Sequence, residues 1–169
     1  MKRTYFVTGT DTEVGKTAVS CALLQGAGAL GLRTAAVKPV AAGCDEQGRN
    51  DDALALQAAM NTALAYEQIN PVALQPAIAP HIAAAQAGRR LQVERLAGLC
   101  RGVFAGGAGL TLVEGAGGWR VPLGPRETLA DLAVALGSDV IMVVAMRLGC
   151  INHALLTAEA IRSDGLRLA

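Results

Sequence analysis

Gly9, Gly15, Lys16 and Thr17 stand in "VTGTDTEVGKT" at nearly the spacing that wraps a backbone loop around phosphate. The common pattern puts four residues between the first glycine and Gly-Lys-Ser/Thr. Here there are five, and one of them is Glu13. Glycines let the main chain approach an anion. The unpaired N–H groups of a helix start face it, and the helix dipole adds about half a positive charge there. Lys16 can then reach the β- and γ-phosphates of a nucleotide, and the Thr17 hydroxyl can ligate magnesium. Glu13 needs a different account, because a carboxylate aimed at the phosphates would repel them in a low-dielectric site. It points away, or it meets something cationic such as an amine on a second substrate, or it is a solvated loop acid.

Further chemistry-bearing residues fall at the ends of later strand patterns. Lys38 closes "VKPV". There it is either an exposed strand-end lysine or a second cation that neutralises charge on a transferring phosphoryl group. Asp52 follows Asn50 and Asp51 at a helix start. One of those two can cap the helix, which leaves Asp52 free. Glu114 follows "LTLV" and precedes "GAGG". Thr17, Asp52 and Glu114 together offer the oxygen donors that magnesium prefers, with waters completing the octahedron. In "RLGCINHALL", Gly149, Cys150, Ile151 and Asn152 open a helix whose free N–H groups suit a carboxylate. Asn152 is equally readable there as a plain N-cap. His81 and His153, each at a helix start, read as structural.

The elements that must position these residues alternate. Strand patterns are expected at 4–9, 33–40, 110–118 and 139–146, with another beginning in the final "LRLA". Helices are expected at 16–30, 51–60, from Pro80, at 92–106, 128–137 and 150–163. In the first helix Val19, Leu23 and Leu30 supply the apolar positions, and Cys21 reads as core. Residues 64–79, with Pro71 and Pro76, read as mostly irregular. Strands that are apolar on both faces and alternate with helices give an α/β fold. It is a three-layer P-loop type with a mostly parallel sheet, helices on both faces and ligands at the carboxyl ends of the strands.

At 169 residues the chain reads as a single nucleotide-binding domain, 1–169. It is 52% hydrophobic and carries a net charge of +1, with no dense Lys/Arg run and no aromatic stacking set, so no nucleic-acid or membrane partner is expected. Cys21, Cys44, Cys100 and Cys150 form no C-x-x-C pair and fit no zinc spacing. With no signal-peptide pattern, a reducing cytoplasmic setting is the expectation.

Taken in order, "YFVTGTDTEVGKT", "KPV", "RNDDALALQ", "PHIAAAQ", "LVEGAGGW" and "LGCINHALLT" resemble dethiobiotin synthetase, the ATP-dependent carboxylating ligase of biotin synthesis. The resemblance spans nearly the whole chain. It implies that 7,8-diaminopelargonic acid, carbon dioxide and ATP, with Mg2+, give dethiobiotin, ADP and phosphate through a carbamate and a carbamic-phosphoric anhydride. It further implies that Thr12 and Glu13 lie near nucleotide and carbamate and that Lys16 and Lys38 flank the γ-phosphate. Glu13, Val14, Gly15, Lys16, Thr17 and Ala18 would hold the nucleotide, with Glu114, Gly115, Ala116 and Gly117 lining the same site. Thr17, Asp52 and Glu114 would serve magnesium. The family is a homodimer, and the substrate carboxylate is held near the subunit interface, which is the role implied for Gly149, Cys150, Ile151 and Asn152. Two departures stand out. Ala42 occupies a position where the family often has a substrate-contacting serine. Family chains also continue beyond residue 169, so the sequence reads as an N-terminal portion that lacks the base-contacting segment.

Three rival readings stand against this one. A partitioning-type switch ATPase usually carries an extra lysine early in the loop, where this chain has Thr10, Asp11 and Thr12. A cobyrinic acid synthetase would need a glutaminase domain for which the chain has no room. An inactive nucleotide-binding module would look the same residue for residue.

Overall fold

Four short apolar segments pair side by side to form the parallel sheet that carries the site. The computed structural model describes residues 2–169. In chain order its elements are β1 (Arg3–Gly9), α1 (Lys16–Ala29), β2 (Thr34–Val37), β3 (Ala41–Ala42), α2 (Asp51–Ala59), α3 (Tyr66–Ile69), β4 (Ala73–Leu74), α4 (Pro80–Gln86), α5 (Val93–Ala105), β5 (Leu110–Glu114), α6 (Leu129–Leu136), β6 (Asp139–Val143) and α7 (Cys150–Ser163). The main sheet runs β2-β5-β1-β6 with every pairing parallel, and β3 and β4 make a separate two-stranded sheet. The register sets Val7 opposite Glu114 and Gly9 opposite Val143. The carboxyl ends of β1, β5 and β6 therefore lie along one edge, and the loops that leave them converge there.

Alternate residues of each strand feed two cores. Phe6 and Val113 pack with Leu96, Leu132 and Ile161 on the face covered by α5, α6 and α7. Val7 and Leu112 pack with Leu24 and Leu56 on the face covered by α1 and α2. The α/β three-layer expectation is met.

Several boundaries differ from the sequence reading. The buried face of α1 is Lys16, Ser20 and Leu24, a strict four-residue stripe, while Leu23 and Leu30 are exposed at 37% and 84%. Small residues let α1 lie close to the sheet, so the stripe that carries a hydroxyl and an ammonium is the one that faces inward. Strand β2 stops at Val37, because the Lys38 N–H turns to the Ile69 carbonyl and Pro39 has no donor. Strand β5 stops at Glu114, and the following glycines belong to a turn. Strand β6 stops at Val143, where its neighbour β1 ends and Thr10 N–H makes the last bond to the Val143 carbonyl. The stretch read as irregular holds α3 and β4, both too short to show a period. The expected strand start near the end of the chain is present as a parallel bridge from Val140 to Leu168. Among the described residues, no helix is long and apolar enough to cross a membrane.

Candidate functional site

A cleft of about 960 Å3 opens at the carboxyl edge of the sheet. Its walls come from the β1–α1 loop and helix start (Thr12, Glu13, Gly15, Lys16, Thr17, Ala18), Lys38 just after β2, strand β3 (Ala41, Ala42), the start of α2 (Asn50, Asp51, Asp52), residues 77–80 and the turn after β5 (Ala116, Gly117, Val121, Pro122).

The β1–α1 loop is shaped by two unusual backbone positions. Gly15 has φ +94 and Glu13 has φ +57, a left-handed conformation that costs a non-glycine residue energy. Glu13 is exposed on the cleft wall and has no ion-pair partner among the described residues. Gly9 is required by space: a Cβ there would stand 2.6 Å from Val14 Cγ2 and 2.9 Å from the Asp11 carbonyl. Val14 itself is buried and anchors the loop in the α1–α2 core. Asp11 organises the loop from outside. One carboxylate oxygen accepts from the Thr12 N–H at 2.8 Å, the other accepts from Arg147 at 2.6 Å, and the Asp11 carbonyl accepts from Lys16 Nζ at 3.0 Å. The Thr12 N–H and the Arg147 guanidinium hold the Asp11 carboxyl below its ordinary range.

Five side chains, from α1, α2, β5 and the residue that follows β2, meet behind the loop. Glu114 is fully buried at 0% exposure. Its Oε1 accepts from Thr17 Oγ1 and from Lys38 Nζ, each at 2.8 Å, and its Oε2 accepts from Ser20 Oγ at 2.7 Å. The Lys38 ammonium also pairs with Asp52 Oδ2 at 2.8 Å. Burial pulls the Lys38 pKa down, but the Glu114 and Asp52 charges outweigh it and hold Lys38 above its usual value. Burial raises the Asp52 carboxyl, and Lys38 more than offsets that, so Asp52 sits low. Lys16 moves the other way, lowered first by burial and then by the neighbouring Lys38 charge. Lys38 is thus a buried, doubly paired cation and not an exposed strand-end lysine.

A second ring of polar groups fixes that arrangement. Asn50 caps α2 by accepting from the Ala53 N–H at 3.3 Å, which leaves Asp52 free to face Lys38. The Asn50 N–H donates to Tyr66 Oη at 2.7 Å, and Asn70 Nδ2 donates to the Lys38 carbonyl at 2.8 Å. On the other side, Gly115 N–H donates to the Val7 carbonyl, and Trp119 packs edge-on against Phe6 with ring centroids 6.1 Å apart. The Trp119 indole N–H and Arg120 both donate to Asp164 at the end of α7, at 2.7 and 2.8 Å.

Lys16, Lys38, Thr12, Glu13, Gly15, Thr17, Ala18, Ala42, Asp52, Ala116 and Gly117 all line the one cleft. Glu114 and Gly115 are buried just behind it, with Glu114 reaching the cleft through Thr17 and Lys38. Gly149, Cys150, Ile151 and Asn152 are not part of its lining. They start α7 with Gly149 as N-cap, and Asn152 is in the exposed first turn, so Asn152 is not the cap. Sequence reasoning missed Asp11, Ser20, Arg147, Tyr66 and Asn70, none of which has a motif of its own. Ser20 alone had a readable signal, standing one helical turn past Lys16 on the same face.

Thr17, Asp52 and Glu114 suit a magnesium ion by donor type: one hydroxyl and two carboxylates, all oxygen, the carboxylates sharing the Lys38 cation and Thr17 bonded to Glu114. Among the described residues no three His, Cys, Asp or Glu side chains gather as a metal centre.

A family model described as an AAA domain matches residues 3–169. The ATP-dependent dethiobiotin synthetase BioD of Marinobacter nauticus is 59% identical over 171 residues, covering 99% of this chain and 73% of that protein. The protein of the same name from Cellvibrio japonicus is 62% identical, covering 99% and 74%. Among solved structures, the kinase domain of the Escherichia coli tyrosine kinase ETK matches with a TM-score of 0.58 at 14% identity, covering 99% of this chain and 65% of that one. A ParA family ATPase from Chlorobium tepidum matches at 0.52 and 14%, covering 100% and 71%. At that identity the structural likeness speaks for the fold alone.

Proposed function

The chain belongs to the ATP-dependent dethiobiotin synthetase family, and on that premise we propose that it carboxylates 7,8-diaminopelargonic acid and closes it to dethiobiotin in biotin biosynthesis. It is an ATP-dependent ligase. The observation that carries the finer reading is the pair of buried lysines in one cleft, Lys16 in the phosphate loop and Lys38 held between Asp52 and Glu114, with the unpaired carboxylate of Glu13 on the same wall.

One amine of the substrate adds to carbon dioxide and loses a proton, leaving a carbamate. A carbamate oxygen then attacks the γ-phosphorus of ATP, ADP departs, and a carbamic-phosphoric anhydride remains. The second amine attacks the carbonyl carbon and loses its proton, phosphate leaves, and the cyclic urea is closed. Lys16 and Lys38 neutralise the charge that spreads over the transferring phosphoryl oxygens. The Thr12 and Glu13 region receives the amine end, where the exposed Glu13 carboxylate supplies the counter-charge. Val14 to Ala18 hold the phosphates through the helix start, and Gly115, Ala116 and Gly117 border the nucleotide. Thr17, Asp52 and Glu114 would hold magnesium, which when bound adds positive charge beside the phosphates. Ala42 borders the substrate without offering a hydroxyl.

Residues 149–152 lie outside the cleft of their own chain, at the start of a helix whose Ile151, Leu155 and Leu156 are exposed at 74%, 66% and 57%, with Leu148 just before it fully exposed. That supports a homodimer in which each copy brings this helix start to the substrate carboxylate at the neighbouring cleft. A reducing, cytoplasmic setting fits the four unpaired cysteines.

The test is ADP release with Mg–ATP and bicarbonate, with and without the diamine, by this chain and by Lys38→Ala. Release that needs the diamine, yields dethiobiotin and collapses in the variant is the expected result. A diamine-independent rate, or an unchanged Lys38→Ala rate, would overturn it.

A further inference from the structure

A second concavity with a different charge lies beside the nucleotide cleft. It is a groove of about 820 Å3 formed by α4, the segment leading into α5 and the turn at 123–127. Arg89, Arg90 and Arg126 line it, and Glu127 is the one acid in its wall. None of these three guanidiniums meets a carboxylate among the described residues. Arg89 donates to the Ala73 carbonyl at 3.3 Å, and Glu127 is engaged in accepting the Val93 N–H, also at 3.3 Å. The groove therefore carries an excess of positive charge. His81 adds a polar wall, and its Nδ1 is buried without any hydrogen-bond partner.

Three arginines around one hollow repel one another, and that repulsion is relieved by a shared anion. Guanidinium forks match oxyanions two bonds at a time, which a spherical ion such as chloride does not exploit. The groove adjoins the nucleotide cleft through chain neighbours, though no residue lines both. Pro80 lines the cleft and His81 the groove; Pro122 lines the cleft and Leu123 the groove.

We propose that this groove is an anion site, distinct from the nucleotide cleft, for a small oxyanion carrying two or more negative charges. Its ligand is a phosphate or a polycarboxylate, gripped by Arg89, Arg90 and Arg126.

The experiment is calorimetric titration of the whole chain in low-salt chloride buffer, with inorganic phosphate in one arm and citrate in the other. No nucleotide is present, so the result does not depend on synthetase activity. Three chains are compared: the parent, Lys16→Ala, which disables the phosphate loop, and the double variant R90A/R126A. Both of these arginines are exposed, and an unchanged melting curve without anion shows that the double variant folds. The expected result is a saturable site that survives Lys16→Ala and weakens at least tenfold in R90A/R126A. The arm that binds more tightly tells a phosphorylated from a polycarboxylic ligand. No saturable binding of either anion, binding unchanged in R90A/R126A, or binding lost only in Lys16→Ala would each overturn the proposal.

Discussion

Replacing Lys38 with methionine isolates the charge at the centre of the site. Glu114 is 0% exposed and receives three donors: Thr17 and Ser20, which remain, and Lys38, which is lost. Removing one partner of a buried ion pair costs about 3–5 kcal/mol, because the other charge stays buried and unpaired. Two features set Lys38→Met at the low end. The surviving hydroxyl bonds still stabilise the carboxylate, and the Asp52 side chain, 47% exposed, can turn to water. The expected loss is therefore about 3 kcal/mol. Glu114→Gln leaves Lys38 paired with Asp52 and should cost about 1–3 kcal/mol, as for an incompletely satisfied buried group. The double variant carries no orphan charge at either position. It should be less damaged than the two single losses added together, by about 1–3 kcal/mol of coupling. Urea unfolding followed by circular dichroism reads this directly. With a slope of about 1–3 kcal/mol per molar, a 3 kcal/mol loss moves the midpoint by about 1–3 M. A strictly additive double variant, or a Lys38→Met chain within about 0.5 kcal/mol of the parent, would refute the reasoning.

Gly9→Ala should disable the phosphate loop, because the new methyl would stand 2.6 Å from Val14 Cγ2 and 3.1 Å from Lys16 Nζ. ATP affinity by calorimetry should fall about tenfold, a loss of about 1.4 kcal/mol, and an unchanged affinity would count against the loop geometry. The Asp52 contribution should be flat near neutrality. Its carboxyl sits below the ordinary 3.8, so the stability it adds is complete above that value and is lost as pH falls through the depressed one. The Lys38 side is complete below 10.5 and fades only as pH rises through its raised value. The stability difference between the parent and Asp52→Asn should thus be constant down to about pH 5, and a difference already gone at about pH 6 would sink this account. Among the thiols, Cys100 is buried and pushed up to about 12, while burial also raises Cys21 and Cys44. Cys100 should be alkylated last in the folded chain, with mass spectrometry of the labelled peptides as the check.

The parts of the site that were legible in the sequence are those whose chemistry is local. Lys16 and Thr17 follow from a loop that must precede a helix, and Glu114 from an acid at the end of an apolar run. Lys38 was legible as a candidate, but its state was not. Whether a strand-end lysine meets solvent or two carboxylates depends on β5 and α2, and those come 76 and 14 residues later. Asn70 and Arg147 were invisible for the same reason: each matters through a partner fixed only by the fold. Element type was readable wherever the period was long enough, as in α5 and α7. Element ends were set by partners. Strand β6 stops where β1 stops, and no feature of "DVIMVVAM" itself marks that point. The inward face of α1 was misread because an apolar count favours Leu23 and Leu30, whereas close approach to the sheet favours Ser20.

Helix α7 is fastened at both ends to loops of the nucleotide cleft. Just before it begins, Arg147 holds Asp11 of the phosphate loop; where it ends, Asp164 holds Trp119 and Arg120 beyond the glycine turn. Its 14 residues make a strut about 21 Å long at 1.5 Å of rise per residue. A strut anchored in this way has little freedom to slide or tilt without pulling on one loop or the other. The exposed Ile151 and Leu155 side of this strut is thereby joined by direct contacts to the phosphate loop at one end and to the segment beyond the glycine turn at the other.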